Sequence, residues 1–140
     1  MAGKLIADQI EHSTAGSLDT SYVVNGSSKA WVHFDAENSA AVSGTPISRD
    51  SLKVSTIGDD GNGDYTVNFT TALTDANYCV THMCRSVNTN GNRGVSGAQL
   101  TDAASLPTAS SFRIFTAYGS TASSDGSKED QDYIMLGIFR

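Results

Sequence analysis

Three histidines are the side chains of this 140-residue sequence that titrate nearest neutral pH, and they lie in three separate segments, at His12, His33 and His82. A serine nucleophile would need one of them and a strained G-x-S-x-G turn, which the sequence lacks. Ser96, between Gly94 and Gly97, is one residue short of that pattern. A small hydrolase would need a histidine beside a carboxylate in a cleft, and no spacing in the sequence predicts that arrangement.

The two cysteines, Cys79 and Cys84, lie five residues apart in a segment with the composition of a strand. Strand geometry would separate them by roughly 16 Å, on opposite faces, whereas a disulfide spans a Cα distance of at most about 7 Å. With His82 they would form an incomplete zinc ligand set that lacks paired C-x-x-C spacing. The pattern favours two buried thiols, and we expect no metal centre and no cofactor.

The segment Asp60-Gly-Asn-Gly-Asp64 places oxygen ligands at alternate positions, as the first half of a calcium loop does. A helical calcium loop also needs Gly and Glu at later positions, where this sequence has Tyr65 and Thr71. Because Gly and Asn are equally what a tight hairpin requires, we interpret the segment as a turn. Calcium binding is the alternative.

The composition offers little material for acid–base catalysis. Only 17% of the residues are charged, whereas 19 are Ser and 14 are Thr. A formal net charge of −6 disfavours a nucleic-acid partner. No apolar run approaches the about 18 residues of a membrane-spanning helix, so no membrane partner is expected either. The length indicates one globular domain.

Residues 1–20 differ from the rest and are predicted to form an extended attachment segment. Leu5, Ile6 and Ile10 make a short apolar stripe, which turn-forming residues 11–17 then interrupt. The stripe is too short for a signal peptide, so we expect the chain not to be exported. Since such a segment cannot bury a core of its own, we expect it to pack on the body, on sister chains or on another protein.

Residues 21–140 are predicted to form a single β domain. The clearest signal is a hairpin in which residues 52–57 and 64–69 flank a turn at 58–63. Residues 30–34 also alternate, with Trp31 and His33 on one face. Further strands are predicted at 22–24, 78–85, 111–118 and 133–139, and the predicted core residues are Trp31, Phe34, Tyr65, Val67 and Phe69.

Successive strands without intervening helices predict an all-β fold, an antiparallel and jelly-roll-like β-sandwich of about seven or eight strands. The last strand is almost continuously apolar and would promote aggregation on an exposed edge. We therefore expect its apolar side chains to be divided between the core and a subunit interface: Ile134, Leu136, Ile138 and Phe139.

Two polar loops, residues 86–94 and 119–132, are the candidates for a recognition surface, because binding residues concentrate on loops that a rigid scaffold holds. Hydroxyl and amide groups predominate in both loops. The residues predicted to face a receptor are Asn90, Asn92, Arg93, Asp125 and Lys128.

Two stretches of the sequence carry a resemblance to a known class of protein. Lys4-Leu-Ile-Ala-Asp-Gln-Ile-Glu-His-Ser-Thr-Ala-Gly-Ser17 and Val23-Val-Asn-Gly-Ser-Ser-Lys-Ala-Trp-Val32 resemble segments of tail-fibre and related virion proteins of tailed bacteriophages, especially cyanophages and other aquatic phages. Arg49-Asp-Ser-Leu-Lys-Val-Ser-Thr-Ile57 and Gly61-Asn-Gly-Asp-Tyr-Thr-Val-Asn-Phe-Thr70 are similar to a second part of them. The resemblance covers about residues 4–80.

The resemblance implies a non-enzymatic virion structural protein that forms a homotrimer and attaches to other capsid or tail proteins through its N-terminal segment. Tail fibres are usually long, so 140 residues favour a short fibre, a knob or a capsid decoration. The expected location is the virion, assembled in the host cytoplasm. The alternative is a carbohydrate- or host-receptor-binding module of a fibre tip, with a host surface glycan as its ligand.

Overall fold

A computed structural model describes residues 3, 6–14, 16–37, 46–85, 93–98, 106–119 and 127–140. Within these ranges, alternating apolar and polar residues form strands. Every strand pairing among these residues is antiparallel, which confirms the predicted all-β fold. In chain order the elements are β1 (Gln9–His12), β2 (Gly16–Asp19), α1 (Thr20–Gly26), β3 (Ser28–Asp35), β4 (Ile47–Leu52), β5 (Val54–Gly61), β6 (Asp64–Phe69), β7 (Cys79–Arg85), β8 (Arg93–Ala98), β9 (Ser111–Gly119), β10 (Ser127–Lys128) and β11 (Tyr133–Phe139).

Two sheets form the sandwich. The first has the strand order β4-β3-β11-β7, so the first and last strands of the sandwich, β3 and β11, are neighbours at its centre. In the second sheet β9 pairs with β6 and β10 along one edge and with β8 along the other, and β5 pairs with β6. The two sheets contain nine strands within the described residues, slightly more than the sequence predicts. β1 and β2 form a separate hairpin.

The core lies between the two sheets and is built from residues at alternate positions on four strands. The rings of Phe34 and Tyr65 meet across the core, edge to face, with their centroids 5.4 Å apart. The buried apolar side chains are Ala30, Val32, Phe34, Ala36, Tyr65, Val67, Phe69, Phe112, Ile114, Ile134, Leu136 and Ile138. The core prediction is therefore confirmed for Phe34, Tyr65, Val67 and Phe69.

The core prediction is wrong for Trp31, which is only half-buried. Successive strand residues point to opposite faces, and β3 directs Ala30, Val32 and Phe34 inward. Trp31 therefore shares the outward face of the first sheet with His33, as the alternation itself predicts. Trp31 and Phe34 have opposite parity, so a regular strand cannot bury both of them in one core.

The predicted hairpin is confirmed as β5 and β6, although its turn is tighter than residues 58–63. β5 continues to Gly61, and only Asn62 and Gly63 connect it to β6. The predicted strand 52–57 is interrupted at Lys53, whose positive φ of 56° separates β4 from β5. This break turns one predicted strand into two, each in a different sheet.

The strand prediction for residues 22–24 is wrong, because they belong to α1. The helix begins at Thr20, whose amide donates to the carbonyl of Asp8 at 2.8 Å. It ends at Gly26, and the amide of the next residue, Ser27, donates to the carbonyl of Val23 at 3.1 Å. A run of one aromatic and two β-branched residues defines a strand only where a neighbouring strand pairs with it. No described strand pairs with residues 22–24.

Candidate functional site

The N-terminal arm, which we define as residues 6–26, contains β1, β2 and α1 and precedes the first strand of the sandwich. Ser13 and Thr14 lie in a turn after β1, and β1 pairs with β2, so the predicted extended segment is folded into a hairpin. Thr20 fastens the start of the helix to the hairpin, because its hydroxyl donates to the carbonyl of Ala7 at 2.7 Å. The arm is therefore held together mainly by its own hydrogen bonds.

The hairpin of the arm has two different faces, because side chains alternate along each strand. Ile10 pairs with Leu18 in register and forms an apolar face. Gln9 pairs with Asp19, and Glu11 with Ser17, which gives a polar, acidic face. The amide of Gln9 donates to the Asp19 carboxylate at 2.8 Å and links the two strands on that face.

The apolar side chains of the arm are exposed to solvent. Ile6 is 80% exposed, Ile10 50% and Leu18 47%, and α1 buries none of its residues. A seven-residue helix is marginal in water without tertiary packing. The candidate attachment residues Ile6 and Ile10 are thus available to another protein, while Leu5 lies outside the described residues.

Most apolar side chains of the C-terminal strand are not available to another subunit. Ile134, Leu136 and Ile138 are buried in the chain's own core, between β3 and β7 and opposite the second sheet. Of the predicted division between core and subunit interface, these three residues therefore belong to the core. Phe139 is half-buried, and Met135 is the outward residue of the strand that exposes most of its surface.

The predicted receptor loops are described only at their ends. Asn90, Asn92 and Asp125 lie outside the described residues, and Arg93 is the first residue of β8. Lys128 belongs to β10, where its amine donates to the Asp64 carboxylate at 2.7 Å. Lys128 therefore takes part in an ion pair that joins the edge of the second sheet to the β5–β6 hairpin.

The Asp60–Asp64 segment forms a network of ion pairs. The guanidinium of Arg113 lies 3.0 Å from the Asp64 carboxylate and 3.5 Å from that of Asp60. Together with Lys128, it places positive charge where a calcium ion would have to bind. Within the described ranges no three His, Cys, Asp or Glu side chains are arranged to hold a metal ion. The donor set does not fit calcium, and the segment is a strand–turn–strand element.

The turn of this hairpin is fastened to the chain before β11. The carboxylate of Asp130 accepts hydrogen bonds from the amide of Gly63, at 2.7 Å, and from the hydroxyl of Tyr65. Burial of the Tyr65 ring, followed by its hydrogen bond to Asp130, raises the pKa of the phenol far above its usual range. Tyr65 therefore stays protonated and acts as a hydrogen-bond donor in the core.

The outward face of the first sheet carries a stacked cluster of aromatic and charged side chains. The guanidiniums of Arg49 and Arg85 each lie 4.3 Å from the ring centroid of Tyr133, and each pairs with a carboxylate, that of Asp35 or Asp132. Such contacts hold the strands β4, β11 and β7 together across the face. The two arginines are thus paired within the chain, whereas Met83 and Met135 on the same face are exposed.

The histidines and cysteines are dispersed over this sheet and the arm. The His33 ring packs against Tyr133 at 5.3 Å, and its Nε2 is buried without a hydrogen-bond partner among the described residues. His82 is exposed on β7. Cys79 and Cys84 carry thiols rather than a disulfide; Cys79 is exposed and Cys84 is half-buried, so the prediction of two buried thiols is wrong. The reason is that β7 is the edge strand of its sheet.

No protein-family model matches this chain, and neither a curated protein nor a solved structure matches it. Among the described residues, no helix is long and apolar enough to cross a membrane.

Proposed function

We propose that this protein is a non-enzymatic structural component of a tailed-bacteriophage virion, a short trimeric fibre, knob or capsid decoration that attaches to the particle through its N-terminal arm. The observation that carries the proposal is the exposed apolar face of an otherwise folded arm. The resemblance of residues 4–80 to virion proteins of tailed phages supports the same assignment.

The energetic argument concerns Ile6, Ile10 and Leu18. Full burial of each such side chain contributes about 1.5–3 kcal/mol, and this chain obtains only part of it, because Ile6 is largely exposed and Ile10 and Leu18 are about half exposed. A surface on another virion protein that covered Ile10 and Leu18 would gain this free energy and would also stabilise the short helix beyond them. Docking of the arm and its folding would then support each other.

Deletion of residues 1–17 tests the attachment. The truncated chain should keep the circular dichroism spectrum and cooperative thermal unfolding of a β-sandwich, because no described residue before Ala30 belongs to the core. Particles assembled in cells that supply this chain should lack it when purified virions are analysed by mass spectrometry. Retention of the truncated chain at full copy number would contradict attachment through the arm.

A point-mutation pair makes the test sharper. Ile10→Ser with Leu18→Ser changes only the apolar face, and we expect it to reduce incorporation as strongly as the deletion does. Gln9→Ala with Ser17→Ala alters the opposite face of the same hairpin and is the matched control, which should incorporate normally. Equal loss with both pairs would show that the hairpin fold, and not its apolar face, is what matters.

A second candidate function, glycan binding, is favoured by the outward face of the first sheet. A shallow groove of about 260 Å³ there is floored by Gly137, with Met83, Met135 and Thr81 beside it. Trp31 lies directly across from Gly137 on the neighbouring strand, and an indole on the same face of the sheet as the Thr81 hydroxyl suits stacking against a sugar ring. Binding on a glycan array that is lost with Trp31→Ala would establish this function, whereas absence of any glycan signal would remove it.

A further inference from the structure

A second pocket opens where the arm joins the sandwich, and its lining is basic. Its volume is about 470 Å³, which lies within the range of ligand-binding pockets. The last turn of α1 contributes Val24 to the wall, and three cations, Lys29, Lys53 and Arg140, converge on the pocket from three different parts of the chain. This concentration stands out in a protein whose net charge is −6.

Two of the three cations are already engaged. The amine of Lys29 donates to the carbonyl of Val24 at the end of the helix, and Arg140 forms a two-pronged ion pair with Asp75. Lys53 makes no side-chain hydrogen bond or ion pair with the described residues. Three cations and one carboxylate leave the pocket with a side-chain charge of +2.

Lys53 is also held in an unusual backbone conformation. Its φ of 56° lies in the left-handed region, which non-glycine residues rarely adopt, and its carbonyl accepts the amide of Thr70 at 3.0 Å. Strained residues of this kind cluster at functional sites because the surrounding structure must maintain them. This backbone conformation holds Lys53, which has no side-chain partner among the described residues, in the lining of the pocket.

The N-terminal arm has the complementary charge. The described residues between 6 and 26 include Asp8, Glu11 and Asp19 and no lysine or arginine, which gives the arm a charge of −3 with His12 neutral. Glu11 and Asp19 lie on the polar face of the hairpin. In the structure only the end of α1, at Val24 and Asn25, lines the pocket, so the acidic face does not reach the pocket of its own chain.

We propose that the acidic face of one copy's arm docks at the basic pocket of a second copy, with Glu11 facing Lys53. The complementary charges of the two surfaces, −2 from Glu11 and Asp19 on the acidic face and +2 at the pocket, are the basis of this choice of occupant. The apolar face with Ile10 and Leu18 stays free for a larger assembly, so this inference goes beyond the proposed function and needs only the purified chain.

The test is a mixing experiment on two charge-reversed variants of the full chain. Glu11→Lys places a lysine opposite Lys53, and Lys53→Glu places a glutamate opposite Glu11, so each variant alone brings like charges together at the proposed contact. In a mixture of the two, the side chain at position 11 of each variant meets an opposite charge at position 53 of the other. Sedimentation velocity over a range of concentrations, at low and high salt, measures the assembly.

The wild-type chain should self-associate, and each variant alone should associate at least about tenfold more weakly because like charges meet. The equimolar mixture should recover the wild-type mass. Association should weaken between 0.15 M and 1 M salt, as the screening length falls from about 8 to about 3 Å. Asp50→Lys reverses an exposed carboxylate that does not line the pocket and is the matched control, which should associate like the wild type.

A monomeric wild type at every concentration would overturn the proposal, and so would an assembly that both variants leave intact. A mixture that stays monomeric, although the wild type associates, would also overturn it. Since none of these measurements involves a particle, their failure is distinguishable from failure of arm-mediated attachment to a virion.

Discussion

Gly63 holds the turn of the β5–β6 hairpin against the neighbouring strand β9 and the chain after β10 more closely than any other residue could. A Cβ at this position would lie 2.3 Å from the carbonyl oxygen of Thr116 and 2.6 Å from the amide nitrogen of Glu129, and both are backbone atoms. The φ of Gly63 is also +63°. Substitution Gly63→Ala therefore has to displace the turn from β9 and from the chain beyond β10.

The magnitude follows from what the displacement breaks. The amide of Thr116 donates to the carbonyl of Gly63 at 2.8 Å, and such a bond contributes about 0.5–1.5 kcal/mol. The bond from the Gly63 amide to the Asp130 carboxylate contributes about 1.5–3 kcal/mol, because the acceptor is charged. With about 1–2 kcal/mol for the left-handed backbone, Gly63→Ala should lower the free energy of unfolding by about 3–6 kcal/mol.

Alanine substitutions at two neighbouring glycines, Gly61 and Gly58, distinguish the steric from the conformational contribution to this loss of stability. Gly61 has a φ of +133° but open space around its Cβ position, so Gly61→Ala should cost only about 1–3 kcal/mol of backbone strain. At Gly58 a Cβ would meet Thr66 at an ordinary 3.7 Å, and Gly58→Ala should leave stability unchanged or raise it by about 0.4–1 kcal/mol.

Urea unfolding followed by circular dichroism measures all three variants against the wild type by linear extrapolation. The expected order of destabilisation is Gly63→Ala, then Gly61→Ala, then Gly58→Ala. If Gly63→Ala and Gly61→Ala lost the same stability, the close approach to Thr116 and Glu129 would be refuted. A Gly63→Ala variant as stable as Gly58→Ala would refute the turn geometry itself.

Three other perturbations probe the buried polar groups and can be read by the same urea unfolding. Tyr65→Phe removes the hydrogen bond to Asp130 and should cost about 1.5–3 kcal/mol, with little change in the spectrum of the fold. Asp64→Ala removes the carboxylate that Arg113 and Lys128 share, which leaves Arg113 with Asp60 alone, and should cost about 1.5–3 kcal/mol, whereas a loss below about 1 kcal/mol would show that the cluster is solvated. Burial raises the pKa of Tyr78 to about 12, so the folded state keeps a proton that the unfolded state loses above about pH 10. The free energy of unfolding should therefore have its full value below about pH 10 and fall between about pH 10 and 12. In Tyr78→Phe this fall should be less steep.

The sandwich was largely predictable because its signal is local. Alternation with a period of two puts Tyr65, Val67 and Phe69 on one face whatever the rest of the chain does, and their burial follows once a second sheet covers that face. Which face of β3 is buried depends on the opposing sheet, which is non-local. That is why the alternation of Trp31 and Phe34 is confirmed while the placement of Trp31 in the core is wrong.

The basic pocket could not be predicted, because its cations are single residues far apart in the sequence. β3 and β11 are antiparallel, so the start of β3, with Lys29, lies beside the end of β11, next to Arg140. β4 pairs with β3 so that Leu52 lies opposite Trp31, which brings Lys53 to the same end of the sheet. The pairing of the strands brings these three charges together, and their spacing in the sequence does not indicate that they are neighbours.

The arm follows the same physical rule as the sandwich but with a different outcome. In β3 and β6 the alternation produces one face that the opposite sheet of the same chain covers. In β1 and β2 it also produces an apolar face, at Ile10 and Leu18, but the described residues provide nothing to cover it. Since burial of apolar surface is the main favourable contribution to folding, an arm with this pattern gains its full stability only when another protein surface completes it. The proposed docking of the acidic face at the pocket with Lys53 on a second copy would not cover Ile10 and Leu18, so this apolar face would remain for the larger assembly.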